Sequence, residues 1–120
     1  MIEHAARRPD PRCAVVVRTL GGAVDRVGPD ETAYAHRGAR FNVSIDGIWT
    51  DPALDEACIA WVRGLWKELE PLSRGVYLNF AGFGEDGVRD RVLGRHAERV
   101  DRIRRAYDPE GLFDEAARRP

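Results

Sequence analysis

Arg40-Phe41-Asn42-Val43-Ser44-Ile45-Asp46-Gly47-Ile48-Trp49-Thr50-Asp51-Pro52-Ala53-Leu54 is the stretch that decides how this chain folds. In its first half apolar and polar residues alternate, with Phe41, Val43 and Ile45 set against Arg40, Asn42, Ser44 and Asp46. A period of two marks a strand with one face toward a core and the other polar. Asp51-Pro52 then changes the rule, because a carboxylate N-cap followed by proline at the first helical position opens a helix. Behind it Leu54, Cys58, Trp61, Leu65 and Leu69 recur at spacings of four, three, four and four, with Val62 and Trp66 widening the stripe. That is an amphipathic helix, ending near Pro71.

Working outward, Cys13 to Leu20 is β-branched and bounded by Pro11 and Gly21-Gly22, which predicts a strand. Gly28 to Gly38 is a polar loop containing Tyr34, His36 and Arg37. Gly75 to Ala81 predicts a third strand, with Tyr77 and Asn79 on one face and Leu78 and Phe80 on the other. Gly82 to Gly87 reads as a turn, and Val88 to Tyr107 as helix broken around Gly94, with Val100, Ile103 and Tyr107 as its seam. The order β, β, α, β, α, with no crossover helix between the first two strands, gives the α+β class. The expected architecture is a partial antiparallel sheet of about three strands covered on one face by helices. So thin a sheet exposes its edges, so partners or self-association through those edges are expected. Residues 1–120 read as one partial domain. Its opening segment, Ile2 to Arg8, resembles the last turns of a helix stopped by Pro9-Asp10-Pro11, which leads us to expect further protein upstream.

Composition narrows the function classes. With 43% hydrophobic and 32% charged residues the chain matches an ordinary globular protein. It has no apolar run of spanning length and no signal-peptide core at its start, so a cytoplasmic location is the expectation. A net charge of −1 argues against a dedicated nucleic-acid binder. Arg99, Arg102, Arg104 and Arg105 are interleaved with Glu98 and Asp101, the pattern of a solvated helix face. Lys67 is the single lysine among nineteen basic residues, a skew read as coding bias. Cys13 and Cys58 lack a CxxC context and read as buried free thiols. His4, His36 and His96 have no ligand spacing, so no metal is expected. Gly82-Phe83-Gly84-Glu85-Asp86-Gly87 matches GxGxxG, but two carboxylates stand where a pyrophosphate should meet helix N–H groups, and no second strand completes a βαβ unit. A plain Gly-rich turn is the reading.

Three segments carry a resemblance. They are Leu20-Gly21-Gly22-Ala23-Val24 with Pro29 to Arg37; Gly75-Val76-Tyr77-Leu78-Asn79-Phe80; and Tyr107-Asp108-Pro109-Glu110-Gly111-Leu112-Phe113. In this order the chain resembles the C-terminal region of berberine-bridge-type FAD-linked oxidases, the second segment matching the family's YxN[YF] strand and the third its terminal YDPxNLF. The resemblance implies that residues 1–120 are the later part of a substrate-binding module. The berberine-like terminal segment covers about 74–113, and the FAD-binding module is absent from these residues. FAD is the implied cofactor, the flavin module in cis or trans the implied partner, and a small molecule the implied substrate, with no nucleic acid or membrane partner.

By the same resemblance Arg18, Asn42 and Phe80 are substrate-pocket positions, while Tyr77 and Asn79 lie close to the cofactor. Phe80 stands where several relatives have a tyrosine base, and phenylalanine has no proton to exchange. Gly111 replaces the family's usual Asn. The implied reaction is removal of hydride from an alcohol, amine or sugar carbon, with the isolated chain inactive and no catalytic residue assigned. A freestanding interaction or small-ligand module derived from that domain is the alternative.

Overall fold

The structure, a computed structural model, describes residues 1–80 and 87–113. Two β-branched runs pair first: β1 (Ala14–Thr19) lies antiparallel to β2 (Phe41–Asp46), with Val15 opposite Ile45, Val17 opposite Val43 and Arg18 opposite Asn42. Three longer α-helices accompany them: α3 (Asp55–Leu69), α4 (Val88–Leu93) and α5 (Ala97–Tyr107). Two short ones, α1 (Ile2–Ala6) and α2 (Ala23–Arg26), are also present among the described residues. The α+β class holds. Contacts divide the chain into two compact units, residues 1–26 with 38–74 and residues 27–37 with 75–120.

In the first unit Asp51 caps the entry to α3, its side chain accepting from the Ala53 N–H at 2.9 Å, with Pro52 opening a 3-10 turn. The apolar stripe of α3 then buries Cys58, Trp61 and Leu65. Cys13, Cys58 and Trp61 form the centre, and Val15, Ile45, Trp49, Leu54 and Val62 pack against it. Trp61 is also tied to α1: its indole N–H donates to the His4 carbonyl at 2.9 Å, and the His4 ring meets the Trp61 carbonyl at 2.8 Å. The apolar face of the hairpin is covered only in part. Val15 and Ile45 reach the core, while Val17, Val43 and Phe41 on the same face are exposed. On the polar face Ser44 is buried and bonds Asp46, so the expected division into core face and solvent face is blurred.

The third strand does not form. Gly75 to Tyr77 is irregular and Leu78–Phe80 is a single 3-10 turn, so the described residues hold two strands where about three were expected. A strand needs a neighbouring strand for its N–H and C=O groups. Here the Val76 N–H bonds the Arg91 carbonyl at 3.2 Å and the Phe80 N–H bonds the Tyr77 carbonyl at 2.9 Å, which commits the segment to a turn beside α4. The expected break at Gly94 is present, as a 3-10 turn between α4 and α5 with Gly94 at φ +47. The Gly-rich turn expected at 82–87 lies, apart from Gly87, outside the described residues. No described helix is long and apolar enough to cross a membrane.

Candidate functional site

Loop 28–37 would be mobile as sequence, being polar and Gly-punctuated, yet three residues of the α4–α5 region hold it. The buried His96 ring meets the Pro29 carbonyl at 2.9 Å, Arg95 pairs with Asp30 at 3.2 Å, and Arg99 donates to the Asp30 carbonyl. At the far end of the loop Arg37 donates to Thr32 at 2.8 Å and places its guanidinium 5.1 Å from the Tyr34 ring centroid, within cation–π range. The loop thereby presents Tyr34 and His36 in a fixed arrangement.

Those two side chains meet the 75–80 segment, Tyr34 at Tyr77 and His36 at Gly75. Tyr34 stands edge-on to Tyr77 at 6.0 Å and to His36 at 5.9 Å, and Tyr77 stands edge-on to Phe80 at 5.3 Å. Residues three apart eclipse in a 3-10 turn, which is why Tyr77 and Phe80 meet here, whereas strand alternation had put them on opposite faces. Asn79 donates its amide to the Tyr77 hydroxyl at 3.0 Å. Burial pushes the Tyr34 phenol above the ordinary tyrosine range, with Arg37 opposing and Tyr77 adding to the effect. Tyr34 is therefore a neutral hydrogen-bonding group near pH 7. Gly75 is required at the base of the cluster, since a Cβ there would overlap the His36 ring and come within 2.6 Å of the Arg91 carbonyl oxygen. The His36 Nε2 atom is buried and finds no hydrogen-bond partner among the described residues.

The sequence-predicted site residues thus fall into two groups. Arg18 and Asn42 are cross-strand partners in the first unit, with Arg18 Nη1 donating to Asn42 Oδ1 at 3.5 Å. Tyr77, Asn79 and Phe80 come together in the second unit. Tyr34 and His36 received no role from the sequence. The signal that could have found them is Gly75, a glycine preceding an aromatic run, which marks a close approach by another segment.

The terminal motif proves structural. Asp108 accepts from the Leu112 N–H at 2.7 Å and the Phe113 N–H at 3.0 Å, folding the chain back after α5. Gly111 has φ +67. Glycine and asparagine are the residues that tolerate this left-handed conformation best, so glycine for asparagine here preserves the turn.

Comparisons with known proteins follow this geometry. The chain is 32% identical over 112 residues to the FAD-linked oxidoreductase YgaK of Bacillus subtilis (strain 168), covering 93% of this chain and 24% of YgaK. It is 26% identical over 119 residues to berberine bridge enzyme-like C-1 of Nicotiana tabacum, covering 88% of this chain and 21% of the relative. Over nearly its whole length the chain matches a region of the berberine-bridge-type FAD-linked oxidases. Over a shorter stretch it is 36% identical to the aclacinomycin-N/aclacinomycin-A oxidase of Streptomyces galilaeus, across 62 residues, 52% of this chain and 11% of that enzyme. No family model matches. The chain spans 21–24% of the length of the first two of these curated relatives. FAD is named for two Bacillus subtilis relatives, and the likenesses favour the oxidase reading over a freestanding ligand-binding module.

Proposed function

We propose that this chain is the later part of the substrate module of an FAD-dependent oxidase, inactive alone, whose complete form removes hydride from an alcohol, amine or sugar-type carbon. The observation that carries the reading is coverage: nearly all of this chain aligns to YgaK, yet with only about a quarter of it, leaving ample length for a separate flavin module. The residues present suit one side of a flavin ring. Tyr34, Tyr77 and Phe80 offer aromatic edges and Asn79 an amide, while His36 packs behind them against Gly75. When bound, FAD supplies the redox step by accepting the hydride.

In this reading Tyr77 and Asn79 lie beside the cofactor, and Arg18, Asn42 and Phe80 line the substrate pocket. Phe80 is an apolar wall. The Tyr77 hydroxyl accepts from Asn79 and retains one proton to donate. A cytoplasmic setting, and association through the edges of the β1–β2 hairpin, belong to the same proposal.

The test is to purify the chain alone and together with a flavin module encoded in frame upstream of Met1 or supplied in trans. Alone it should carry no stoichiometric flavin absorbance. Joined, it should give a yellow protein whose absorbance bleaches when substrate is added without oxygen. Stoichiometric flavin on the isolated chain, or a joined protein that never bleaches with any alcohol, amine or sugar, would overturn the assignment.

A further inference from the structure

Cys13, at the entry to β1, and Cys58, on α3, lie 45 residues apart in sequence, yet their sulfurs are 3.9 Å apart in the core of the first unit. Both thiols are free, and their exposures are 1% and 0%. Cys13 Sγ also lies 3.5 Å from the Ile48 carbonyl. A disulfide needs the sulfurs at about 2.05 Å, so closure asks for an approach of ~1.9 Å between two side chains that already face one another. Cys13 follows the turn at residues 10–12, its N–H bonded to the Asp10 carbonyl at 3.0 Å, so movement of that turn can supply the approach without unwinding α3.

We propose that Cys13 and Cys58 are a site of two-electron oxidation, a dithiol that closes to an intramolecular disulfide with hydrogen peroxide as the oxidant. One thiolate attacks the peroxide O–O bond, forming a sulfenic acid and releasing hydroxide. The second thiolate attacks that sulfur, the S–S bond forms and the S–O bond breaks. In sum two thiols and one peroxide give one disulfide and two waters. Nothing in this step needs the flavin module, so it stands independently of the function proposed above.

Burial sets the rate. Desolvation raises the Cys58 thiol, and Cys13, Asp10 and Asp55 raise it further, so the reactive thiolate is scarce at neutral pH. Reaction therefore waits on local opening of the turn before β1, which makes it slow beside that of an exposed low-pKa cysteine.

The experiment treats the purified 120-residue chain, dilute and folded, with hydrogen peroxide, traps remaining thiols with N-ethylmaleimide, and maps the peptides without reduction. The expected result is joint loss of both thiols, an intact mass lower by two hydrogen atoms, a linked peptide pair containing Cys13 and Cys58, and full recovery with dithiothreitol. Cys13→Ala and Cys58→Ala should each abolish the reducible intramolecular product. Independent sulfinic or sulfonic acids, disulfide-linked dimers, or thiols that react only after urea is added would each overturn the proposal.

Discussion

Trp61 tests the core most sharply, because two separable interactions converge on it. Its ring is 6% exposed, and its N–H donates to the His4 carbonyl at 2.9 Å. Burying an indole removes roughly 200 Å² from water, and at ~25 cal/mol/Å² that is about 5 kcal/mol as an upper bound. Trp61→Ala should therefore cost about 3–5 kcal/mol, the range for large aromatic-to-alanine changes in cores. Trp61→Phe keeps most of the ring and removes the N–H, and the half-buried His4 carbonyl can turn to water, so the cost should be about 1–1.5 kcal/mol. Urea titration followed by far-ultraviolet circular dichroism reads both, with an unchanged m value showing that the same surface unfolds. If Trp61→Phe costs as much as Trp61→Ala, ring area is not what stabilises the site. If Trp61→Ala costs below about 1 kcal/mol, the docking of α3 on the hairpin is wrong.

Two further perturbations have definite signs. Asp10 is held at about 2 from an ordinary value of 3.8, chiefly by the Arg12 side chain and then by the Arg12 N–H. Its folded value is depressed, so its stabilisation is complete above pH ~4 and is lost as pH falls toward ~2. The melting difference between the chain and its Asp10→Asn variant should be flat near neutrality and vanish by the acid end of that window; a difference that grows on acidification contradicts the assignment. Gly75→Ala should cost about 1–3 kcal/mol by overpacking, because both the His36 ring and the Arg91 carbonyl must move. A variant as stable as the parent would show that His36 does not sit against Gly75.

What the sequence made legible is what local periodicity encodes. The alternation at Phe41–Asp46 gave the strand, though of its apolar face only Ile45 reaches the core, and the stripe Leu54, Cys58, Trp61 and Leu65 gave both the helix and its buried side. Gly75 to Phe80 has the composition of a strand, but strand formation depends on an edge to pair with, which no window of six residues contains. Here the backbone found the Arg91 carbonyl. The contacts of loop 28–37 with His96, Arg95 and Arg99 were hidden for the same reason, since ion pairs and carbonyl bonds between distant segments leave no periodic trace. The Asn79 amide and the Tyr77 phenol were placed on one face for the wrong cause, strand alternation, and are joined in a 3-10 turn.

That substitution of turn for strand changes the chemistry open to the proposed site. In a strand, residues 77 and 80 point apart, and a side chain at 80 could act without reference to Tyr77. In the turn their rings are 5.3 Å apart, so whatever stands at 80 shares one surface with the Tyr77 phenol and the Asn79 amide. With phenylalanine there, that surface can orient a ring and donate one hydrogen bond, but position 80 cannot accept a proton. Tyr34 does not replace it, because a phenol is already protonated at neutral pH and burial pushes this one further from ionising. If the complete protein oxidises an alcohol, the base that takes the hydroxyl proton must therefore come from outside the Tyr34–Tyr77–Phe80 cluster. Taken by itself, the Arg18–Asn42 pair of the hairpin is a cation beside an amide and has no basic group to take that proton.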